Sequence, residues 1–186
     1  ADLSYGQWMN ELLIQLGLES VTLAGFSFGG LIILKTLAFG ESRIKAAYLA
    51  APAYIVNGNP LKLLWKVFIP MKRYQRTEHA KYVSRFLKEI FTDEDPFALK
   101  FLSQVFLHFE MDFTTVPVIS KAEAGRIRTP VTLFAAKQDL MFPGEKMIKR
   151  AHKLFPSLRQ AVLFEDSKHV QARGHNDQIE ELILSA

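Results

Sequence analysis

Val21-Thr22-Leu23-Ala24-Gly25-Phe26-Ser27-Phe28-Gly29-Gly30-Leu31-Ile32-Ile33-Leu34 runs from an apolar, strand-like segment through a glycine-flanked serine into a helical one. A strand that ends in G-x-S-x-G and turns at once into a helix is the nucleophile-elbow pattern. The turn is tight enough that a Cβ at either flanking glycine is expected to meet neighbouring backbone. The helix N-terminus behind the serine favours negative charge developing at its tip. The backbone N–H of Phe28 is the candidate oxyanion donor. Gly30, one residue beyond the motif, lets the helix approach its neighbours closely. The pentapeptide by itself also fits an ordinary Gly/Ser-rich turn; the strand before it and the helix after it favour the chemical reading.

Alternation continues outward from that motif. Before it, Ser4 can cap an amphipathic helix with Tyr5, Trp8, Met9, Leu12, Leu13 and Leu16 on one face, ended by Gly17. After it, the helix runs to about Phe39 and stops at Gly40. A buried strand is expected over residues 44–50, ended by Pro52. Residues 54–120 change character, with helical patterns, many aromatics and little strand signal. Pro60 can open one helix, residues 81–91 fit a second, and Asp95-Pro96 starts a third. Strand signal returns at residues 131–136, a helix follows Pro143, a short strand covers 161–164, and a closing helix covers 176–184. Strand–helix alternation implies a mostly parallel sheet covered by helices, and the helical block is expected to sit over it as a cap. The organisation read from the chain is therefore 1–53 core, 54–120 helical cap, and 121–186 core. Ligands of such sheets bind beyond the carboxyl ends of the strands.

A serine hydroxyl needs a base, and the base needs an acid to fix its tautomer. The chain order expected behind an elbow is serine, acid, histidine. Asp139 lies three residues past the strand ending at Ala136, and no acid sits just after the 44–50 strand. His169 follows the strand at 161–164, in Ser167-Lys168-His169-Val170. His175 is its competitor, further from the strand end.

Composition narrows the classes. The 186 residues are 49% hydrophobic and 23% charged, enough for one sizeable core. There is no cysteine, which excludes disulfides, a thiolate nucleophile and thiolate metal sites. A reducing, cytoplasmic location is expected. The longest apolar stretch, Ala46 to Val56, is eleven residues, against roughly 20 for a membrane span. The net charge is +4, and residues 62–88 hold eight basic side chains against Glu78 alone. That excess reads first as a solvated helical face, and otherwise as a surface for anionic substrates or lipid headgroups. No nucleic-acid motif accompanies it, and neither nucleic acid nor membrane is an expected partner. His108, Glu110 and Asp112 alternate at strand spacing; exposed polar residues, and no metal, are expected there. No cofactor motif is present. Aromatics such as Trp65, Phe86, Phe97 and Phe106 are expected mainly to pack the cap, with some free to line an apolar pocket.

Taken together, these segments resemble the α/β-hydrolase superfamily, in particular the capped serine esterases and serine aminopeptidase-like members. The matching pieces are Leu23 to Gly30, Thr129-Pro130-Val131-Thr132-Leu133-Phe134-Ala135-Ala136-Lys137-Gln138-Asp139 with Pro143, and Ser167 to Val170. The resemblance implies an α/β-hydrolase fold with a helical cap insertion, Ser27 as nucleophile, Asp139 as acid and His169 as base. It implies a serine hydrolase of small or medium apolar carboxylic esters. A peptidase, amidase, thioesterase or carbon–carbon bond hydrolase would share these features, as would a non-catalytic ligand-binding member of the fold. It also exposes an absence. The family places the elbow strand fifth in a sheet of about eight, and the strands expected before it, with the loop donating the second oxyanion N–H, have no counterpart here. The expectation is a C-terminal fragment whose sheet is completed by an upstream segment or a second polypeptide.

Overall fold

The computed structural model describes residues 4–40, 42–109 and 114–185. Glu110 and Asp112, weighed above as part of a metal site, lie outside the described residues, as does Phe113. The chain divides into two compact units. One comprises Ala1–Asn57, Val116–Ala135 and Phe142–Phe164; the other comprises Gly58–Thr115, Ala136–Met141 and Glu165–Ala186.

The first unit is built on a four-stranded sheet in the order β1-β2-β3-β4: β1 Val21–Phe26, β2 Ile44–Ala50, β3 Val131–Ala136 and β4 Leu158–Phe164. β1 and β2 pair in parallel from Val21↔Ile44 to Phe26↔Ala50, and β2 and β3 in parallel from Ala47↔Val131 to Ala50↔Phe134. Parallel neighbours need a crossover between them, and α2 (Phe28–Phe39) supplies the first. It is apolar nearly all round and is buried from Gly30 to Ala38 apart from Ile32, as befits a helix packed on several sides. Gly40 ends it in the left-handed conformation (φ 105°), returning its N–H to Thr36 and Leu37 carbonyls. All six residues of β3 are buried, the pattern of an inner strand covered on both faces. Its last aromatic, Phe134, stacks on Phe164 of β4 with centroids 6.3 Å apart. α8 (Gly144–Leu154) follows Pro143 and buries Met147 and Ala151.

Three expectations shift. β4 starts at Leu158, three residues before the predicted 161; Arg159 and Gln160 within it are exposed and carry no apolar signal. The closing helix α9 (Arg173–Leu184) also starts three residues before the predicted 176. The N-terminal helix α1, Ser4–Gln15, forms where predicted, but of its apolar face only Leu13 is buried; Trp8 and Leu16 are exposed. The same openness marks β1, which pairs with β2 alone among the described strands and exposes Thr22, Ala24 and Phe26 on one face.

The second unit carries the helical block. α3 (Pro60–Leu63) is capped by the Asn59 side chain, which accepts from the amides of Leu61 and Lys62. It runs through a π-helical turn, Leu64–Phe68, into α4 (Ile69–Thr77). α5 (Ala80–Ile90) and α6 (Pro96–His108) follow, the latter with Asp95 accepting from the Ala98 amide at 2.9 Å. The Asp95-Pro96 start is thus as the sequence predicts. Met71, Tyr74, Val83, Phe86, Leu87 and Phe106 form the unit's apolar core. Phe86 and Phe106 meet edge to face at 4.9 Å, an aromatic pair contributing about 0.5–1.5 kcal/mol beyond its buried area. Not all the aromatics pack: Trp65, Phe97, Phe101 and Phe109 are exposed. A short helix the sequence reading did not include, α7 (Lys121–Ala124), belongs to the first unit and opens with a reciprocal capping box between Ser120 and Glu123.

Candidate active site

Ser27 sits between β1 and α2 with φ 50° and ψ −113°, a backbone conformation that L-residues rarely adopt and that neighbouring structure must hold in place. The restraints are visible. The Ser27 amide donates to Ala50 O at 3.0 Å, and the Ser27 carbonyl accepts from Gly30 N at 3.1 Å and Ala53 N at 2.9 Å. The Ser27 side chain makes no capping hydrogen bond to its own helix, so its hydroxyl is not committed to helix initiation.

Glycine is required at two places in the turn. A Cβ on Gly25 would stand 2.6 Å from Ile33 Cδ1 and 2.8 Å from the Gly29 carbonyl carbon. A Cβ on Gly30 would stand 2.5 Å from Pro52 Cβ and 3.0 Å from Pro52 Cα. Gly29 departs from the expectation: an added Cβ there meets no described atom within 4 Å. The crowding falls on Gly30 instead, because the helix's close neighbour is the loop after β2. That loop is itself strained. Ala51 (φ 41°) and Tyr54 (φ 84°) both have positive φ, and Ala51 N donates to Phe134 O at 2.8 Å.

Phe28 occupies the first position of α2, where an amide has no intrahelical acceptor. Its half-exposed ring meets Tyr5 edge to face at 5.8 Å. Nearby in the same unit, the Lys35 ammonium lies over the rings of Tyr5 (5.5 Å) and Tyr54 (5.7 Å). The Tyr54 hydroxyl donates to Glu123 Oε1 at 2.9 Å. Burial, reinforced by the Glu123 carboxylate, pushes the Tyr54 phenol well above its ordinary range. Burial alone would also raise the Glu123 carboxyl. The hydrogen bonds it receives from Ser120 and Tyr54 outweigh that and hold it below the usual value.

Asp139 and His169 come together in the second unit. Asp139 Oδ2 lies 2.8 Å from His169 Nδ1, with the carboxylate fully buried and the imidazole nearly so. Asp139 Oδ1 accepts from Met141 N at 2.7 Å, which fixes the carboxylate plane. A carboxylate oxygen accepts, so in this pair Nδ1 is the donor and Nε2 is the ring nitrogen turned away from Asp139. A carboxylate placed on one ring nitrogen fixes the orientation of the imidazole and of the other nitrogen. His175 Nε2 contacts Asp166 Oδ1 at 3.1 Å, a carboxylate 81% exposed; the buried acid faces His169.

Two supports of this pair had no sequence signal. The Gly58 amide donates to Met141 O at 2.7 Å, and a Cβ on Gly58 would overlap the Leu140 carbonyl oxygen. The Thr92 hydroxyl bonds to the backbone of the residues on either side of His169, accepting from Lys168 N and donating to Val170 O. Gly58 reads as one more loop glycine before Pro60, and Thr92 as a polar break between helices. Among the described residues no cluster of three or more His, Asp or Glu could hold a metal, and no helix is long and apolar enough to cross a membrane.

No family model and no curated protein matches this sequence. Solved structures do. The chain is similar to naproxen esterase from Bacillus subtilis (TM-score 0.77, 19% identity, 97% of this chain and 64% of that one). It is similar to carboxylesterase CesB from Bacillus subtilis (TM-score 0.76, 22% identity, 97% and 64%). It is also similar to an esterase from Exiguobacterium antarcticum (TM-score 0.70, 23% identity, 97% and 71%). At these identities the likeness is one of fold. The chain spans a little under two thirds of the length of the first two.

Proposed function

We propose that this chain, whose fold is that of the α/β-hydrolases, is the elbow-to-histidine part of a serine hydrolase acting on carboxylic esters. The observation that carries the reading is the buried Asp139–His169 pair, downstream of a serine held in a strained strand-to-helix turn. A carboxylate removed from water and aimed at Nδ1 stabilises the imidazolium that forms when Nε2 takes a proton. Ser27 Oγ attacks the acyl carbon as its proton passes to His169. The tetrahedral intermediate collapses, the alcohol leaves with that proton, and water hydrolyses the acyl-enzyme by the same route. The Phe28 amide is one oxyanion donor. Carboxylic esters with an apolar part are the favoured substrates, in keeping with the esterase names of the structural neighbours and the exposed Phe26 and Phe28 rings beside Ser27.

The remaining strands and the second oxyanion donor are assigned to polypeptide that pairs with β1. Among the described strands β1 pairs with β2 alone; its exposed Thr22, Ala24 and Phe26, with the exposed Trp8 of α1 and Leu16 just after that helix, support this. Such an apolar edge left bare in water invites aggregation. A cysteine-free composition suits the cytoplasm.

The test is fluorophosphonate labelling of the full-length protein with peptide mapping. A single adduct on Ser27, lost in Ser27→Ala and in His169→Ala, with turnover of short-chain esters, is the expected result. A folded full-length protein that takes no adduct and turns over no ester overturns the reading.

A further inference from the structure

α5 ends at Ile90, and the last carbonyls of any helix lack intrahelical donors. Here the histidine loop supplies them. Lys168 Nζ donates to Lys88 O at 2.6 Å, and Val170 N donates to Ile90 O at 2.9 Å. Phe91 and Val170 form an isolated parallel bridge, and Thr92 N donates to Val170 O at 3.0 Å. The Thr92 side chain completes the contact. Its Oγ1 accepts from Lys168 N at 2.9 Å and donates to Val170 O at 2.7 Å. One hydroxyl thus uses its donor and one lone pair on the residues immediately before and after His169, and it lies 3.4 Å from the buried Ser167 hydroxyl. With Lys168 and Val170 both held by their backbones, and the peptides between them bonded through Lys168 O to Ser167 Oγ and Val170 N to Ile90 O, the His169 backbone has little freedom to turn its imidazole away from Asp139.

We propose that Thr92 is a positioning residue for His169, acting through the backbone on either side of it and tying the end of a helix in the 54–120 block to the proton-transfer group. This rests on the serine-hydrolase reading above for its kinetic consequence, but not for its structural one. Bases held by a single tether swing through rotamers. A base bracketed on both sides stays within the fraction of an ångström that proton transfer tolerates. The hydroxyl matters through the two bonds it makes at once, so serine can replace it and valine, of the same shape, cannot.

The experiment compares wild type, Thr92→Val and Thr92→Ser in the full-length protein by ester kinetics and by proton NMR of the His169 Nδ1–H. Expected for Thr92→Val is a roughly 10- to 100-fold fall in kcat with KM unchanged, and broadening of the downfield Nδ1–H resonance. Thr92→Ser is expected to restore both. Wild-type kcat and resonance in Thr92→Val, or no recovery in Thr92→Ser, overturns the proposal. If the wild type neither hydrolyses esters nor takes a fluorophosphonate, the functional reading fails, while the resonance still decides the tether. If the valine variant does not fold, amide exchange of Lys168 in the wild type decides: slow exchange supports the bond to Thr92 Oγ1, and exchange as fast as an open loop overturns it.

Discussion

Gly58 stands directly against the carbonyl of Leu140, with its own amide bonded to Met141 O at 2.7 Å. Met141 in turn donates its amide to Asp139 Oδ1. The acid's orientation therefore depends on a backbone approach that only glycine permits.

Gly58→Ala is expected to push the 139–141 loop away and tilt the Asp139 carboxylate off Nδ1. Overpacking of this kind costs about 1–3 kcal/mol of stability, and a displacement near 1 Å costs about 10²-fold in rate. Thermal melts with ester kinetics on the full-length protein check both. A variant with wild-type kcat would show that the acid loop is held elsewhere.

Asp139→Asn tests the tautomer. Because Oδ1 is committed to the Met141 amide, an asparagine would keep its carbonyl there and turn its NH2 toward His169 Nδ1. Nδ1 would then be the acceptor and Nε2 would hold the proton, the wrong state for a base. A loss of about 10⁴-fold in kcat is expected with the fold intact. Near-UV circular dichroism confirms the fold, and titration of the rate with pH shows whether activity returns where the proton is lost.

Much of this was readable from residue order because the elbow imposes local backbone demands that only particular residues meet. Gly25 and Gly30 are crowded by Ile33 and Pro52, so the first glycine of G-x-S-x-G and the one after the motif are steric requirements, whereas Gly29 is not. Asp139 and His169 were legible as loop residues behind buried strands. The supports were not. Thr92 works through contacts to Lys168 and Val170, more than seventy residues away, and nothing in Ile90-Phe91-Thr92-Asp93 marks it. The first residues of β4 were not legible because Arg159 and Gln160 are polar and exposed, so no apolar pattern marks them as strand. The face of α1 was misjudged for a related reason. Periodicity reports which residues are apolar, not whether anything covers them, and Trp8 and Leu16 are bare.

Gly29 and Gly30 separate sterics from propensity. Both lie in the first turn of α2, yet an added Cβ is unopposed at Gly29 and meets Pro52 at 2.5 Å at Gly30. Gly29→Ala is expected to leave stability unchanged or raise it by up to about 1 kcal/mol. Gly30→Ala is expected to lower it by about 1–3 kcal/mol. Denaturant melts of the two variants give the answer, and equal destabilisation by both would mean the turn as a whole, and not the Pro52 contact, demands glycine.

The Tyr54–Glu123 bond sets opposite limbs of the stability profile. Glu123 has its carboxyl lowered in the folded state, so its contribution is complete above the ordinary carboxylate range, about 4.3, and is lost as pH falls through the folded value. Tyr54 has its phenol raised, so its contribution is complete below the ordinary value, about 10, and is lost as pH rises beyond it. Glu123→Gln keeps the capping geometry but removes the charge. It is expected to be less stable than wild type at pH 7 by under about 1 kcal/mol after solvent screening, with the gap closing below about pH 4. Tyr54→Phe is expected to flatten the alkaline limb above about pH 10 while leaving the acid limb nearly intact. Thermal melts across pH 3–11 read both, and parallel curves for wild type and Glu123→Gln in acid would show that this carboxylate is not held below its ordinary range.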